Sequence, residues 1–475
     1  MTVPAGPAQG PVPGPAGPAG AVRALGVPWA VGGGLVWSIA VGAALVALGG
    51  LAGRPDVAVL GVAPVLSGLW ALWVRPRGQV WADVGRVSAR DGSAQDGFAQ
   101  EGAAQQTSAQ GRSRRVPGTL TARLVLAAPP GTEAVRIRVS RPGHTPVDAL
   151  VDVPLTRGLE VTAVSVRTGP QDLFRVEHRG VGTGMHLAGP VGDVPAEKVL
   201  VLPRARPMPA LPLPLRLRGL SGQHESRRIG DGGGLRDVHP FGPGDTLRRI
   251  DWRVTARRSP HLEQLYVRRT LALAEAMVTL VVDSRDDVGP DPSTWSGIRR
   301  IRPDDATSLD LARQAAATVA QGYLNVGDRV GVEDLGVRRR ALRPGTGRRQ
   351  LDRVLQQLAA LRPEGDPRRR VRPPHLPTGT LVYLFSTFLD PEAAELAQVW
   401  RRSGHRVIAV DTLPRLRERG LDQRERLALR IVRIEREDLL AQVTAAGAEV
   451  VRWADPSAST TLQQLARLSH RKPDR

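Results

Sequence analysis

Residues 230–258 read GDGGGLRDVHPFGPGDTLRRIDWRVTARR, and the reading of the whole chain turns on them. Glycines open the stretch, Pro243-Gly244 breaks it, and a charged amphipathic segment closes it. Pro presets φ and Gly tolerates φ > 0, so this pair suits the centre of a turn. Asp245 then stands where a helix N-cap is expected, its carboxylate accepting N–H groups at the positive helix end. Leu247, Ile250 and Val254 recur at helical spacing and predict one apolar stripe. Asp245 is expected to face Arg248 and Arg249, and Asp251 to face Arg248. Exposed pairs of that kind contribute only about 0–1 kcal/mol each. Such a density of opposite charges beside Phe241 and Trp252 therefore predicts a fixed ion-pair network rather than a solvated helix.

The run resembles the central signature of the bacterial domain of unknown function 58 family, roughly Leu-Arg-x-Tyr-x-x-Gly-Asp-x-x-Arg-x-Ile-Asp-Trp-x-x-Ser-Ala-Arg. Leu235, Arg236, Gly244, Asp245, Arg248, Ile250, Asp251, Trp252, Ala256 and Arg257 match it. Phe241 stands where an aromatic is usual, and Thr255 replaces the serine. The resemblance implies a von Willebrand factor A-like domain after the signature and a MoxR-type AAA+ ATPase as partner. It places the docking face on Arg236, Asp237, Phe241, Gly244, Asp245, Arg248, Asp251, Trp252 and Arg257.

A chain of 475 residues calls for two or three domains. It has no cysteine, which excludes disulfides, thiol catalysis and Cys-ligated metals. The formal charge of +20 is almost wholly arginine, since Lys198 and Lys472 are the only lysines. A basic chain suits nucleic acid or anionic lipid. Nucleic-acid modules interleave aromatics with their basic groups, and aromatics are only 4% here, so no nucleic acid is expected.

Residues 1–22 are an uncharged Pro/Gly/Ala run and are expected to be a disordered tail. Residues 23–77 are expected to form a transmembrane hairpin. Thirty uncharged residues separate Arg23 from Arg54, and a further 18 run from Val57 to Val74. A helix needs ~20 apolar residues to cross a bilayer core of ~30 Å. Trp29, Trp70 and Trp73 are expected at one interface. Arg75, Arg77, Arg86 and Arg90 follow the second run, whereas the connecting loop has only Arg54. The positive-inside rule then puts both ends in the cytosol, with the chain in the cytoplasmic membrane as a two-pass protein. A signal peptide fits poorly, because no basic n-region precedes the first run and a second run follows it.

Residues 87–117, rich in Ala, Gly, Gln, Ser and Asp, read as a flexible linker. Residues 118–205 carry short alternating Val- and Leu-rich runs punctuated by Pro and Gly, the pattern of an all-β sandwich. Within them, Gly169-Pro170-Gln171-Asp172-Leu173-Phe174-Arg175 and Val199-Leu200-Val201-Leu202-Pro203 look like the family's strand-end motifs. Residues 216–270 are the signature loop-helix region. In residues 271–475, apolar runs such as Met277–Val282 and Leu381–Phe385 alternate with helical stretches. Such runs suit strands buried on both faces of a parallel sheet. The expected fold class is therefore multi-domain: a transmembrane hairpin, a β-sandwich, and a doubly wound, Rossmann-like α/β domain.

Ligands in doubly wound sheets sit at the carboxyl ends of the strands, which singles out Asp283. The A-domain adhesion motif is Asp-x-Ser-x-Ser, and this chain has Asp283-Ser284-Arg285-Asp286-Asp287. The resemblance thus implies a degenerate metal site with candidates Asp283, Asp287 and Thr346. Ser386-Thr387 stand where the later Asp is usual. Arg285 is placed either to repel a cation or to pair with Asp283 and imitate one. No phosphate loop, His-Glu-x-x-His or Gly-x-Ser-x-Gly is present. Arg neighbours should depress the carboxyl pKa values of Asp237, Asp245 and Asp251, which favours permanent anions over proton shuttling. The expectation is a non-catalytic, membrane-anchored interaction protein with no catalytic residue and no cofactor. The rivals are a hydrolase using the signature Asp cluster and a basic nucleic-acid or lipid binder.

Overall fold

A computed structural model describes residues 29–86, 119–153, 155–208, 210–219, 222–336, 341–363 and 373–470. The expected tail (1–22) and linker (87–117) lie outside these residues.

After a two-residue strand, β1 (Ala30–Val31), come two 19-residue helices, α1 (Gly33–Leu51) and α2 (Pro55–Trp73). At 1.5 Å per residue each is about 28 Å long, and both are long and apolar enough to cross a bilayer. Their large side chains face outward, Trp37 at 71% exposure and Leu51 at 89%. Small residues bring the two helices together. A Cβ added to Gly42 would lie 2.7 Å from the Gly61 carbonyl oxygen, and one on Gly49 would lie 2.4 Å from the Ala58 nitrogen. Close backbone approach of that kind is how apolar helices associate without a hydrophobic driving force.

Trp29 departs from the expected interface position. Its ring is buried against Gly180 and Gly189, and its indole N–H donates to the Gly78 carbonyl at 2.8 Å. Arg75 donates to the Trp29 carbonyl. The base of the hairpin is therefore packed on the β domain. Trp70 and Trp73 remain exposed, with ring centroids 5.1 Å apart.

The β domain is built from β2 (Trp81–Arg86), β3 (Thr119–Ala127), β4 (Thr132–Ser140), β5 (Val147–Asp152), β6 (Thr156–Val164), β7 (Gly169–Asp172), β8 (Arg175–Gly182), β9 (Leu187–Val194) and β10 (Lys198–Val201). One sheet has the order β1-β9-β8-β4-β5, the second β2-β3-β6, and β10 pairs with β7. Alternating residues of the two larger sheets, among them Leu124, Leu126, Val135, Ile137 and Val176, meet in one buried core. The domain begins earlier than the expected residue 118, because β2 pairs along its length with β3.

The signature region is mostly strand, not loop and helix. β11 (His224–Pro240) runs antiparallel to β12 (Tyr266–Ala274) with several register shifts. At Gly230 and Gly232 the partner strand leaves no room for a side chain. A Cβ on Gly230 would lie 2.3 Å from the Ala272 Cβ. Between the strands lie a turn and the short helix α3 (Trp252–Arg258).

The α/β domain comprises β13 (Met277–Val282), α4 (Ser308–Asn325), β14 (Arg329–Asp334), β15 (Leu342–Gly345), α5 (Gly347–Ala360), β16 (Leu381–Ser386), α6 (Pro391–Arg402), β17 (Arg406–Asp411), α7 (Gln423–Ala445), β18 (Glu449–Arg452) and α8 (Ala458–His470). The sheet order is β15-β14-β13-β16-β17-β18, with β15 antiparallel and the other strands parallel. In chain order this is 3-2-1-4-5-6, the doubly wound arrangement. Helices α4, α5 and α8 cover one face, and α6 and α7 the other. The central strands are buried on both faces, which explains their largely apolar runs.

Candidate functional site

In a 3-2-1-4-5-6 sheet the crevice opens at the carboxyl ends of the two strands where the winding reverses. Here these are β13 and β16, and the residues that follow them are Asp283 and Thr387. Asp283 is buried, and its N–H continues the ladder to the Phe385 carbonyl at 2.8 Å.

The Asp283 carboxylate is fully engaged. Arg285 forks onto it, Nε to Oδ1 at 2.8 Å and Nη2 to Oδ2 at 2.8 Å. The Ser386 hydroxyl donates to Oδ2 at 2.8 Å. The remaining guanidinium nitrogen reaches Glu392 at 2.6 Å, and Nη2 also contacts Asp390 at 3.1 Å. One guanidinium, 7% exposed, therefore ties the end of β13 to the start of α6. Burial alone lowers the Arg285 pKa. The hydrogen bonds to Asp283, and the charges of Asp283, Asp390 and Glu392, outweigh it and raise the pKa. Bidentate guanidinium–carboxylate geometry is the strongest form of ion pair. Of the two roles open to Arg285, the geometry is that of pairing.

The metal candidates do not converge. Asp283 spends both oxygens on Arg285 and Ser386. Asp287 is committed to the start of α4, accepting from the Leu309 N–H at 3.4 Å. Burial pushes its carboxyl above the ordinary value, partly offset by Thr307. Thr346 is at the other end of the sheet. β15 is antiparallel, so its last residue, Gly345, pairs with Val330 near the start of β14, whereas the partner of Val282 is Asp334. The threonine that the fold brings near Asp287 is Thr307, whose capping box with Asp310 opens α4. A Thr-x-x-Asp spacing was its only sequence signal.

Asp286 stands beside this lock. Burial, then the charges of Asp283 and Asp390, push its carboxyl up to about 6, against the pull of Arg285. Further along the same edge, Arg436 of α7 pairs with buried Asp411 and donates to the Thr387 carbonyl at 2.8 Å. Burial raises the Asp411 pKa and Arg436 opposes the rise. The carboxyl edge is thus closed by two buried guanidiniums, of which only Arg285 was singled out in the sequence.

The signature residues form a different arrangement from the expected one. Pro243 and Gly244 do form the turn, with Gly244 at φ +89° and the Asp245 N–H bonded to the Gly242 carbonyl at 3.1 Å. Asp245, however, is not a helix cap. It accepts from the Gly242 N–H at 3.0 Å and lies 3.3 Å from His239 and 3.6 Å from Arg269. Burial pushes its carboxyl up, but Gly242, Arg269 and His239 together hold it below the ordinary value. The cap of α3 is Asp251, which accepts from the Val254 N–H at 3.1 Å. Leu247–Arg249 form a separate 3-10 turn, so Leu247 and Val254 do not share one helix.

The expected ion-pair network is likewise only partial. Arg249 pairs with Asp231, and Arg236 lies 3.7 Å from Asp237 at the surface. Arg248 and Arg257 are exposed, with no ion pair to Asp245 or Asp251 among the described residues. The anchor of α3 is instead Thr255, fully buried, whose hydroxyl accepts the Tyr266 N–H at 3.0 Å. Arg258 lies over the Tyr266 ring, 5.5 Å from its centroid. This leaves Trp252 at 61% exposure, Leu247 at 69% and Phe241 at 37%. Three large apolar side chains of the signature region are thus left exposed.

Residues 237–430 match the family described as Protein of unknown function DUF58. No curated protein and no solved structure matches the chain. The matched segment runs from the signature arm into α7, and it is this part of the chain that is similar to the domain of unknown function 58 family.

Proposed function

We propose that this is a membrane-anchored, non-catalytic interaction protein whose α/β domain is von Willebrand factor A-like. α1 and α2 hold it in the cytoplasmic membrane, and the β and α/β domains project into the cytosol, as the arginines after α2 suggest. The signature arm is the docking face. Its partner is an AAA+ ATPase of the MoxR type, which brings the nucleotide and works with this protein in complex assembly or maturation. The observation that carries the reading is Trp252. A large indole is left exposed on a helix that is capped by Asp251 and pinned by Thr255. Rigid aromatic anchors of this kind dominate protein interfaces. The engaged carboxylates of Asp283, Asp245 and Asp251 favour a fixed recognition surface over acid–base chemistry.

The test is retention of a MoxR-type ATPase by the detergent-solubilised protein. Trp252→Ala, at an exposed position, should leave the thermal melt unchanged and weaken retention about thirtyfold or more, corresponding to the ≥ 2 kcal/mol typical of an interface hot spot. Equal retention by the variant would refute the docking face.

A further inference from the structure

The strand-end motifs at residues 169–175 and 199–203 have no part in the docking face, yet Pro170, Gln171 and Asp172 of the first, and Lys198 just before the second, line a cavity. β7 and β10 pair side by side, and the loop after β4 and the segment 301–303 of the α/β domain close a space of about 320 Å³ over them. Arg141, Arg167, Asp172 and Lys198 line it from the β domain, and Ile301 and Pro303 from the α/β domain. Ligand sites favour such clefts between domains, and the volume is at the small end of their usual range.

The charges of this joint are not balanced within the protein. Arg167 donates to the carbonyls of Asp305 at 3.0 Å and Arg302 at 2.7 Å. Arg141 donates to the Asp172 carbonyl at 3.3 Å and the Ser165 hydroxyl at 3.1 Å. Neither guanidinium has a carboxylate ion pair among the described residues. Both are half-buried. Burial lowers the Arg141 pKa, and the exposed Asp172 opposes this only through space. The buried arginines Arg313, Arg406 and Arg436, and Arg285 with its side chain 7% exposed, each meet a carboxylate. A half-buried cation without such a partner is costly unless an anion completes it.

We propose that the joint between the β and α/β domains binds a small, soluble, phosphate-bearing molecule. The two unpaired guanidiniums offer +2, which matches the roughly −1.5 to −2 of a phosphate monoester at neutral pH. Guanidinium forks suit phosphate oxygens geometrically. A soluble ligand is favoured over a lipid headgroup beside the hairpin. Gly131, at one end of β4, abuts the chain just after α2, whereas Arg141 follows the other end. Nine strand residues at about 3.4 Å each separate the two by about 30 Å. Because the ligand touches both domains, its binding stiffens the joint.

The experiment is calorimetry of the full-length protein in nanodiscs with inorganic pyrophosphate at constant ionic strength. In phosphatidylcholine discs the wild type should give a saturable isotherm. Arg141→Gln/Lys198→Gln should weaken it at least tenfold, and the variant's unchanged melt would show that the fold survives. A non-saturating wild-type titration, or one unaltered in the double variant, would overturn the site. Phosphatidylglycerol discs should leave pyrophosphate binding unchanged. Its loss there would overturn the soluble-ligand assignment in favour of a headgroup.

Discussion

Arg285 supplies, from inside the chain, the positive charge that Asp283, Asp390 and Glu392 need. Removing one member of such a buried set leaves the others uncompensated, which costs about 3–5 kcal/mol. Arg285→Met should therefore lower stability by that amount in chemical denaturation. Arg285→Met/Asp283→Asn should recover most of the loss, and a double variant no better than the single would argue against the pairing. Asp286 gives a pH signature at the same place. Its carboxyl holds a proton more tightly in the folded state, at about 6 against an ordinary 3.8. The contribution from that proton is complete below about pH 3.8 and is lost as pH rises through 6. Asp286→Asn should flatten the fall in melting temperature between pH 4 and 6. A wild-type slope in the variant would place the titration elsewhere.

Among the elements, α3 distinguishes two carboxylates of the signature that look equivalent in the sequence. Asp251 caps this seven-residue helix, while Asp245 closes the turn before it. Loss of an N-cap costs about 0.5–2 kcal/mol. Asp251→Ala should speed amide exchange at Val254 and its neighbours, whereas Asp245→Ala should speed it at Gly242 and spare α3. The reverse pattern would restore the cap to Asp245. The apolar spacing of Leu247, Ile250 and Val254 suggested one helix because a 3-10 turn followed by a short α-helix produces nearly the same spacing. The glycines of β11 were misread for a related reason. Gly230, Gly232 and Gly234 look like loop residues until β12 and the folded-back start of β11 lie against them.

Over the whole molecule, Arg313 is the clasp between domains. Nearly buried in α4, it pairs with Asp310 and donates to the Thr168 carbonyl and hydroxyl and to the carbonyls of Leu358 and Leu361. Thr168 in turn donates to Asp310 through its N–H and its hydroxyl, both at 2.7 Å. With Arg167 bonded to Asp305 and Arg302, the β domain is fastened to the α/β domain rather than strung from it. Arg313→Met leaves Asp310 and several carbonyls short of a partner. It should cost about 3–5 kcal/mol and split calorimetric melting into separate domain transitions. A single transition at the wild-type temperature would show that the clasp carries no coupling.

The sequence by itself determined the elements whose cause is local. Met277–Val282 and Leu381–Ser386 are mostly apolar because both of their faces are covered, and the hairpin helices announce themselves by uncharged length. It also marked Asp283 as the strand-end carboxylate and Arg285 as its neighbour. Only the tertiary structure decided what those groups meet. It turned Arg285 onto Asp283, brought Arg436 from α7 to the same edge, left Thr346 at the opposite end through the antiparallel β15, and buried Trp29 in the β domain. The physical reason is range. Burial and helical or strand period are written in neighbouring residues, whereas the partner of a charge lies across loops that carry no local signal.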